Sequence, residues 1–138
     1  MSQFKSKFKV GSDICSIDRI AQVYERYGEK FLDRILTAGE KKYALSSKRD
    51  FLAKVAARFA AKEATAKVLG TGFIGVGWKE IEVVRLPSGA PTLKLSGRAE
   101  AVAKKLGMNC FELTMSHEKE YAIAFVLGYG SELTIDRF

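Results

Sequence analysis

The sequence predicts an α+β fold: helices set against a small, mostly antiparallel sheet. Three observations lead there. Residues 8–14, 110–116 and 121–127 alternate apolar with small or polar residues, the period of a half-buried strand. A long run from Asp50 to Leu69 carries Leu52, Val55, Ala56 and Phe59 at helical spacing. The order is one strand, several helices, two strands, one helix and two strands, which belongs to the α+β class.

Each element has a local cause. The first strand ends near Asp13-Ile14, and Ile17, Ile20, Tyr24, Tyr27 and Phe31 then recur at helical spacing, with Gly28 a break. Thr37 followed by Glu40 has capping-box spacing and opens a short helix through Leu45. Gly70 and Gly72 end the long helix, because a helix C-terminus favours a residue at ease in the left-handed conformation. Two strands, 81–86 and 92–95, flank the turn Pro87-Ser-Gly-Ala-Pro91. Ser96 is placed to cap a helix ending near Gly107, and the last two strands form a hairpin around His117-Glu-Lys-Glu120. Residues beyond Gly128 read as a loose tail.

A chain of 138 residues accommodates one domain, 1–138, with its core at about 8–127. The 23 Lys and Arg against 16 Asp and Glu leave a net charge of +7, which favours acidic partners without choosing among nucleic acid, phosphorylated cofactors and acidic proteins. Cys15 and Cys110 stand far apart, pointing to a reducing compartment rather than a zinc site or disulfide scaffold. The N-terminus lacks an apolar signal region and no apolar run approaches membrane length, so a cytoplasmic location is expected. A nucleic-acid-binding module would account for the charge, but requires basic residues interleaved with exposed aromatics or a known motif, and the sequence has neither.

The residues suited to chemistry are few. Glu63 falls on the apolar stripe of the long helix, where an unpaired carboxylate is costly, and Lys67 lies one turn further on. Spacing alone favours an intrahelical ion pair at the edge of the core. Asp13, at a strand end, reads first as a cap for the following helix. The alternative is that Asp13, Glu63 and Lys67 together make a phosphate-and-metal site, since two carboxylates plus water suit magnesium. His117, the one histidine, sits at a turn and reads as a surface residue or a phosphate donor. The glycines after Leu69 follow a helix, not a strand, which excludes the dinucleotide fingerprint and the P-loop.

These residues resemble a known family. Val10-Gly-Ser-Asp13-Ile14, Arg58-Phe-Ala-Ala-Lys-Glu63-Ala, Lys67-Val-Leu-Gly-Thr-Gly72 and Ser116-His117-Glu, followed by Tyr121-Ala-Ile-Ala, are similar to the holo-acyl-carrier-protein synthases over roughly residues 8–127. The resemblance implies a magnesium-dependent phosphopantetheinyl transferase. Such an enzyme moves the 4'-phosphopantetheine arm of coenzyme A to a serine of apo-acyl carrier protein, in fatty acid biosynthesis, and releases adenosine 3',5'-bisphosphate. It implies that Asp13 and Glu63 bind magnesium and that Glu63 and Lys67 are catalytic, with Lys67 at the phosphates. Arg58, Gly89, Pro91 and His117 would line the coenzyme A site, with Ala90 departing from the basic or polar residue common in relatives. It also implies a homotrimer with active sites between subunits, and neither a nucleic-acid nor a membrane partner.

Carrier docking draws on pattern and resemblance together. Arg19, Arg26, Lys30 and Arg34, spaced seven, four and four apart, line one side of a helical segment if Gly28 does not break it. Asp18, Glu25, Glu29 and Asp33 repeat the spacing one position earlier, so the pattern by itself reads as a solvated, self-neutralising face. The resemblance implies instead that Arg19, Lys30 and Arg34 grip the acidic helix beside the carrier serine.

Overall fold

In the computed structural model, which describes residues 8–131, a long helix lies across a three-stranded sheet and the other elements pack around that pair. The chain runs β1 (Phe8–Ser16), α1 (Ile17–Tyr27), α2 (Glu29–Ile35), α3 (Ala38–Leu45) and α4 (Phe51–Leu69), followed by a 3-10 turn at Trp78–Glu80. It continues as β2 (Ile81–Arg85), β3 (Pro91–Leu95), α5 (Gly97–Lys105), β4 (Cys110–His117) and β5 (Tyr121–Tyr129). All strand pairs are antiparallel, but they form two sheets, β1-β5-β4 and β2-β3, rather than one. Alternation identifies strands without identifying their neighbours, so this division was not visible in the pattern.

The period-2 pattern decides which face of the large sheet meets α4. Gly11 and Cys15 of β1 and Ala122, Ala124 and Val126 of β5 point inward and are buried. Val10, Ile14, Ile123 and Phe125 point outward and are exposed. The small inward residues let α4 lie close. A Cβ on Gly11 would stand 2.2 Å from the carbonyl oxygen of Ala64, so only glycine permits this approach of β1.

The long helix is alanine-rich and buried on more than the single stripe expected. Val55, Ala56, Ala57, Ala60, Ala61, Ala64 and Val68 are buried, and so are Arg58 and Lys62. The reason is its central position, with β1 and β5 on one side and α1, α3 and β2 on others. Gly70 ends it in the left-handed conformation (φ 78°), its N–H donating to Ala66 O. The capping box at Thr37 and Glu40 is formed as the spacing predicts. Ser96 precedes α5, but its side chain makes no cap bond. Beyond Gly128 the chain is not loose at once. β5 continues to Tyr129, and the Asn109 side-chain amide holds both backbone groups of Ser131 (2.9 and 3.3 Å). Residues 132–138 of the expected tail lie outside the described part.

Candidate active site

Two periodicities converge on one point. β1 turns Asp13 to the same side as Gly11 and Cys15, toward α4, while the helical repeat lines up Phe59, Glu63 and Lys67 on the facing side of α4. Lys67 Nζ donates to the Ser12 carbonyl (2.8 Å) and to Asp13 Oδ1 (3.3 Å). The intrahelical Glu63–Lys67 pair favoured by spacing is therefore corrected, for the lysine's partner lies across on β1. Asp13 is likewise not a helix cap. Ser16 takes that role, its hydroxyl accepting from Arg19 N (3.2 Å).

Glu63 is half-buried and shares with Asp13 a pocket of about 360 Å³ walled by Cys15, Ile20, Val23, Phe31 and Phe59, with Arg19 beside them. Burial, and then the Asp13 charge, push the Glu63 carboxyl above the usual carboxylate range, and Lys67 opposes the shift. Burial, followed by Asp13, also pushes the Cys15 thiol up to about 11, which keeps it protonated and inert at neutral pH. The Asp13 charge set against the half-buried Glu63 carboxyl invites a cation. Among the described residues no larger group of His, Cys, Asp and Glu gathers at one point. The donor set thus suits a hard ion that takes one or two carboxylates and completes its shell with water and phosphate oxygens.

A second cluster forms around Tyr43. Lys54 Nζ, Arg58 Cζ and Arg85 Cζ lie 4.4, 4.4 and 4.9 Å from the centroid of its ring. Arg58 is only 3% exposed, and its Nε has no hydrogen-bond partner. Among the described residues none of these three cations is in an ion pair with a carboxylate. Pro91 pairs with Arg85 across the β2–β3 hairpin, and a Cβ on Gly89 would lie 3.7 Å from an Arg85 guanidinium nitrogen. Arg58, Gly89 and Pro91 are therefore brought together, around Tyr43, Lys54 and Arg85, which the sequence reading missed. Lys54 alone left a trace there, four residues before Arg58. His117 joins neither cluster. It is exposed at the end of β4, in register with Ala122 and through it with Cys15, two strand spacings or roughly 10 Å from β1.

The basic row does not form one helix. Gly28 (φ 60°) separates α1, with Arg19 and Arg26, from α2, with Lys30 and Arg34. Neither is the face self-neutralising. Lys41 of α3 takes both Glu29 and Asp33, the latter at 2.9 Å, while Asp18 accepts from Gln22 (3.0 Å). Arg19, Lys30 and Arg34 are exposed, and among the described residues none is in an ion pair.

A larger open cleft, about 1290 Å³, lies between α5 and the far ends of β4 and β5, and its lining includes none of Asp13, Glu63 and Lys67. Among the described residues no helix is long and apolar enough to cross a membrane.

Comparison with known proteins bears on these clusters. The family model described as the 4'-phosphopantetheinyl transferase superfamily matches residues 9–126. The holo-(acyl-carrier-protein) synthase of Gloeobacter violaceus is 48% identical over 118 residues, 86% of this chain and 89% of that protein. Among solved structures, the holo-(acyl-carrier-protein) synthase of Neisseria meningitidis superposes with a TM-score of 0.80 at 32% identity, covering 87% of this chain and 96% of that one. The Helicobacter pylori synthase, solved in complex with coenzyme A, gives a TM-score of 0.76 at 30% identity over 86% and 98% of the two chains.

Proposed function

The chain belongs to the 4'-phosphopantetheinyl transferase superfamily, and on that premise we propose that it is a holo-acyl-carrier-protein synthase. It transfers the 4'-phosphopantetheine group of coenzyme A to a serine of apo-acyl carrier protein and releases adenosine 3',5'-bisphosphate. The observation that carries this reading is that Asp13 shares one pocket with Glu63 and accepts a bond from Lys67, on a chain whose relatives bear that name.

Asp13 and Glu63 are the residues that would hold magnesium, and their mutual repulsion is the feature of this structure that fits a divalent ion. When bound, magnesium makes the phosphorus more electrophilic and offsets the charge of the leaving bisphosphate. The remaining steps belong to the chain's own side chains. Glu63, whose carboxyl is raised above its ordinary value by burial and the Asp13 charge, accepts the proton of the carrier serine hydroxyl. The serine oxygen forms its bond to phosphorus as the bond to the bisphosphate oxygen breaks. Lys67 is fixed by two bonds to β1 and keeps a third N–H for a phosphate oxygen, where it opposes the developing charge. The uncompensated cations around Tyr43, Arg58 among them, suit the bisphosphate end of coenzyme A, with Gly89 and Pro91 shaping the same place. His117 is assigned to that ligand through its family position.

The unpaired Arg19, Lys30 and Arg34 support docking of an acidic carrier, and we place that carrier in fatty acid synthesis. The outward apolar row of Val10, Ile14, Tyr121, Ile123 and Phe125 is exposed, which supports burial against a second copy and hence the homotrimer. We take the chain as one phosphopantetheinyl transferase domain acting in the cytoplasm. Incubation with coenzyme A, magnesium and apo carrier tests the activity. Release of adenosine 3',5'-bisphosphate in step with holo carrier is expected, and coenzyme A left intact would refute it.

A further inference from the structure

Immediately before Glu63 stands a lysine with no access to substrate. Lys62 is 0% exposed, and its ammonium spends all three of its N–H groups inside the protein: on Glu40 Oε1 (2.8 Å), the Trp78 carbonyl (3.0 Å) and the Ile81 carbonyl. Glu40 is 1% exposed and equally saturated. Its Oε1 also accepts from Thr37 N (2.9 Å) to close the α3 capping box, and its Oε2 accepts from Val83 N (2.7 Å). A single nitrogen on α4 is thereby triangulated from α3, the 3-10 turn and the start of β2.

The rest of the α4 contact is poorly suited to fixing that helix's rotation. Toward the sheet it presents Ala64 and Val68, which meet Gly11, and the remaining small residues Ala57, Ala60 and Ala61 are buried along the same helix. The touching backbones of Gly11 and Ala64 set a distance. Side-chain ridges interlocking with grooves are what resist sliding and turning, and alanine ridges are shallow. A buried ammonium with three directional bonds to three elements supplies that missing restraint. A lysine so placed is otherwise hard to account for, since burying an ion pair is on balance no better for stability than a packed apolar pair.

We propose that Lys62 is a positioning residue for the transfer: held by Glu40 and two carbonyls, it sets the rotation of α4, and so the approach of Glu63 and Lys67 to Asp13. Successive helical residues lie 100° apart, so Lys62 faces α3 and β2 while Glu63 faces β1, and any turn of the helix moves both. A carboxylate about 6 Å from the axis shifts by roughly 1 Å for a 10° rotation. A misplacement of that size costs on the order of 10²-fold in rate.

This inference rests on the transferase reading, and the test separates the two. Glu40→Asp, Lys62→Met and the double variant Glu40→Leu with Lys62→Met are compared with the parent for kcat and for KM toward coenzyme A. Circular dichroism and melting establish which are folded at the assay temperature. Lys62→Met leaves a buried carboxylate unpaired. The double variant removes both charges together and so leaves neither buried unpaired, and Glu40→Asp keeps both charges and only shortens the reach. Folded variants are expected to lose about tenfold or more in kcat, with the coenzyme A KM within about twofold of the parent, because the anchor touches geometry and not ligand. Parent-like kcat in the folded double variant or in Glu40→Asp would make the pair a matter of stability alone and overturn the proposal. A parent chain that transfers nothing would refute the transferase reading, and the anchor's role with it.

Discussion

Gly11→Ala adds one methyl group, and its consequences follow from a single distance. The new Cβ would stand 2.2 Å from Ala64 O and 3.0 Å from Val68 Cγ2. The first obstacle is helix backbone, which has no rotamer with which to yield, so β1 and α4 must separate by roughly 1 Å. Overpacking of this kind costs about 1–3 kcal/mol, or a fall of roughly 3–12 °C in Tm for a chain of this size. The larger effect is on chemistry. Asp13 is two residues along the strand, and Lys67 bridges the same gap through Ser12 O (2.8 Å) and Asp13 Oδ1 (3.3 Å). A separation of that size opens both contacts and spreads the two carboxylates, at a cost on the order of 10²-fold in kcat. The assay is steady-state transfer to apo carrier at a temperature where the melting curve shows the variant folded. A folded Gly11→Ala enzyme within threefold of the parent kcat would show that the tight β1–α4 approach does not organise the site, and the geometric account would fail.

Two further outcomes follow from the same clusters. Glu63 holds its proton more tightly in the folded chain than its ordinary value of 4.5, so native stability is lost as pH rises through the window above that value. Glu63→Gln should therefore melt higher than the parent at pH 7 and indistinguishably from it near pH 4, while losing activity; an equal or lower Tm at pH 7 would contradict the strained-carboxylate reading. Charge reversal by Arg34→Glu should raise the KM for apo carrier roughly fivefold and leave the coenzyme A KM alone, with added salt producing a similar loss in the parent. A change confined to coenzyme A binding would reassign the basic residues of α1 and α2 to the nucleotide.

How far the sequence reveals this molecule depends on the range of the interaction in question. Strands and helices follow from residues two to four apart, and the described elements fall where alternation, the Thr37–Glu40 box and Gly70 place them. The partners of charged residues are a different matter. Spacing offered Lys67 to Glu63, four residues away, but its bonds go to residues 54 and 55 positions distant, brought near by β1 crossing α4. Lys62 carried no local signal. Its partners at Glu40, Trp78 and Ile81 lie 16 to 22 positions away, and a lysine inside a helical stripe reads as solvated until those acceptors are seen. Arg58 was found through a motif and not through physics, since its aromatic partner, Tyr43, belongs to another helix. The basic row shows the opposite failure. Its acids looked self-neutralising in sequence, yet Lys41, from a third helix, removes Glu29 and Asp33 from the balance.

The central claim is that Asp13, Glu63 and Lys67 form a phosphopantetheine-transferring site. Intact mass of an apo carrier after incubation with coenzyme A and magnesium tests it most directly, run in parallel with the parent and with folded Asp13→Ala and Glu63→Ala variants. The account predicts that the parent adds one phosphopantetheine arm per carrier, on its serine, and that either variant leaves most of the carrier unmodified at saturating magnesium. A carrier unchanged by the parent, or converted at near-normal turnover by Glu63→Ala, would contradict it.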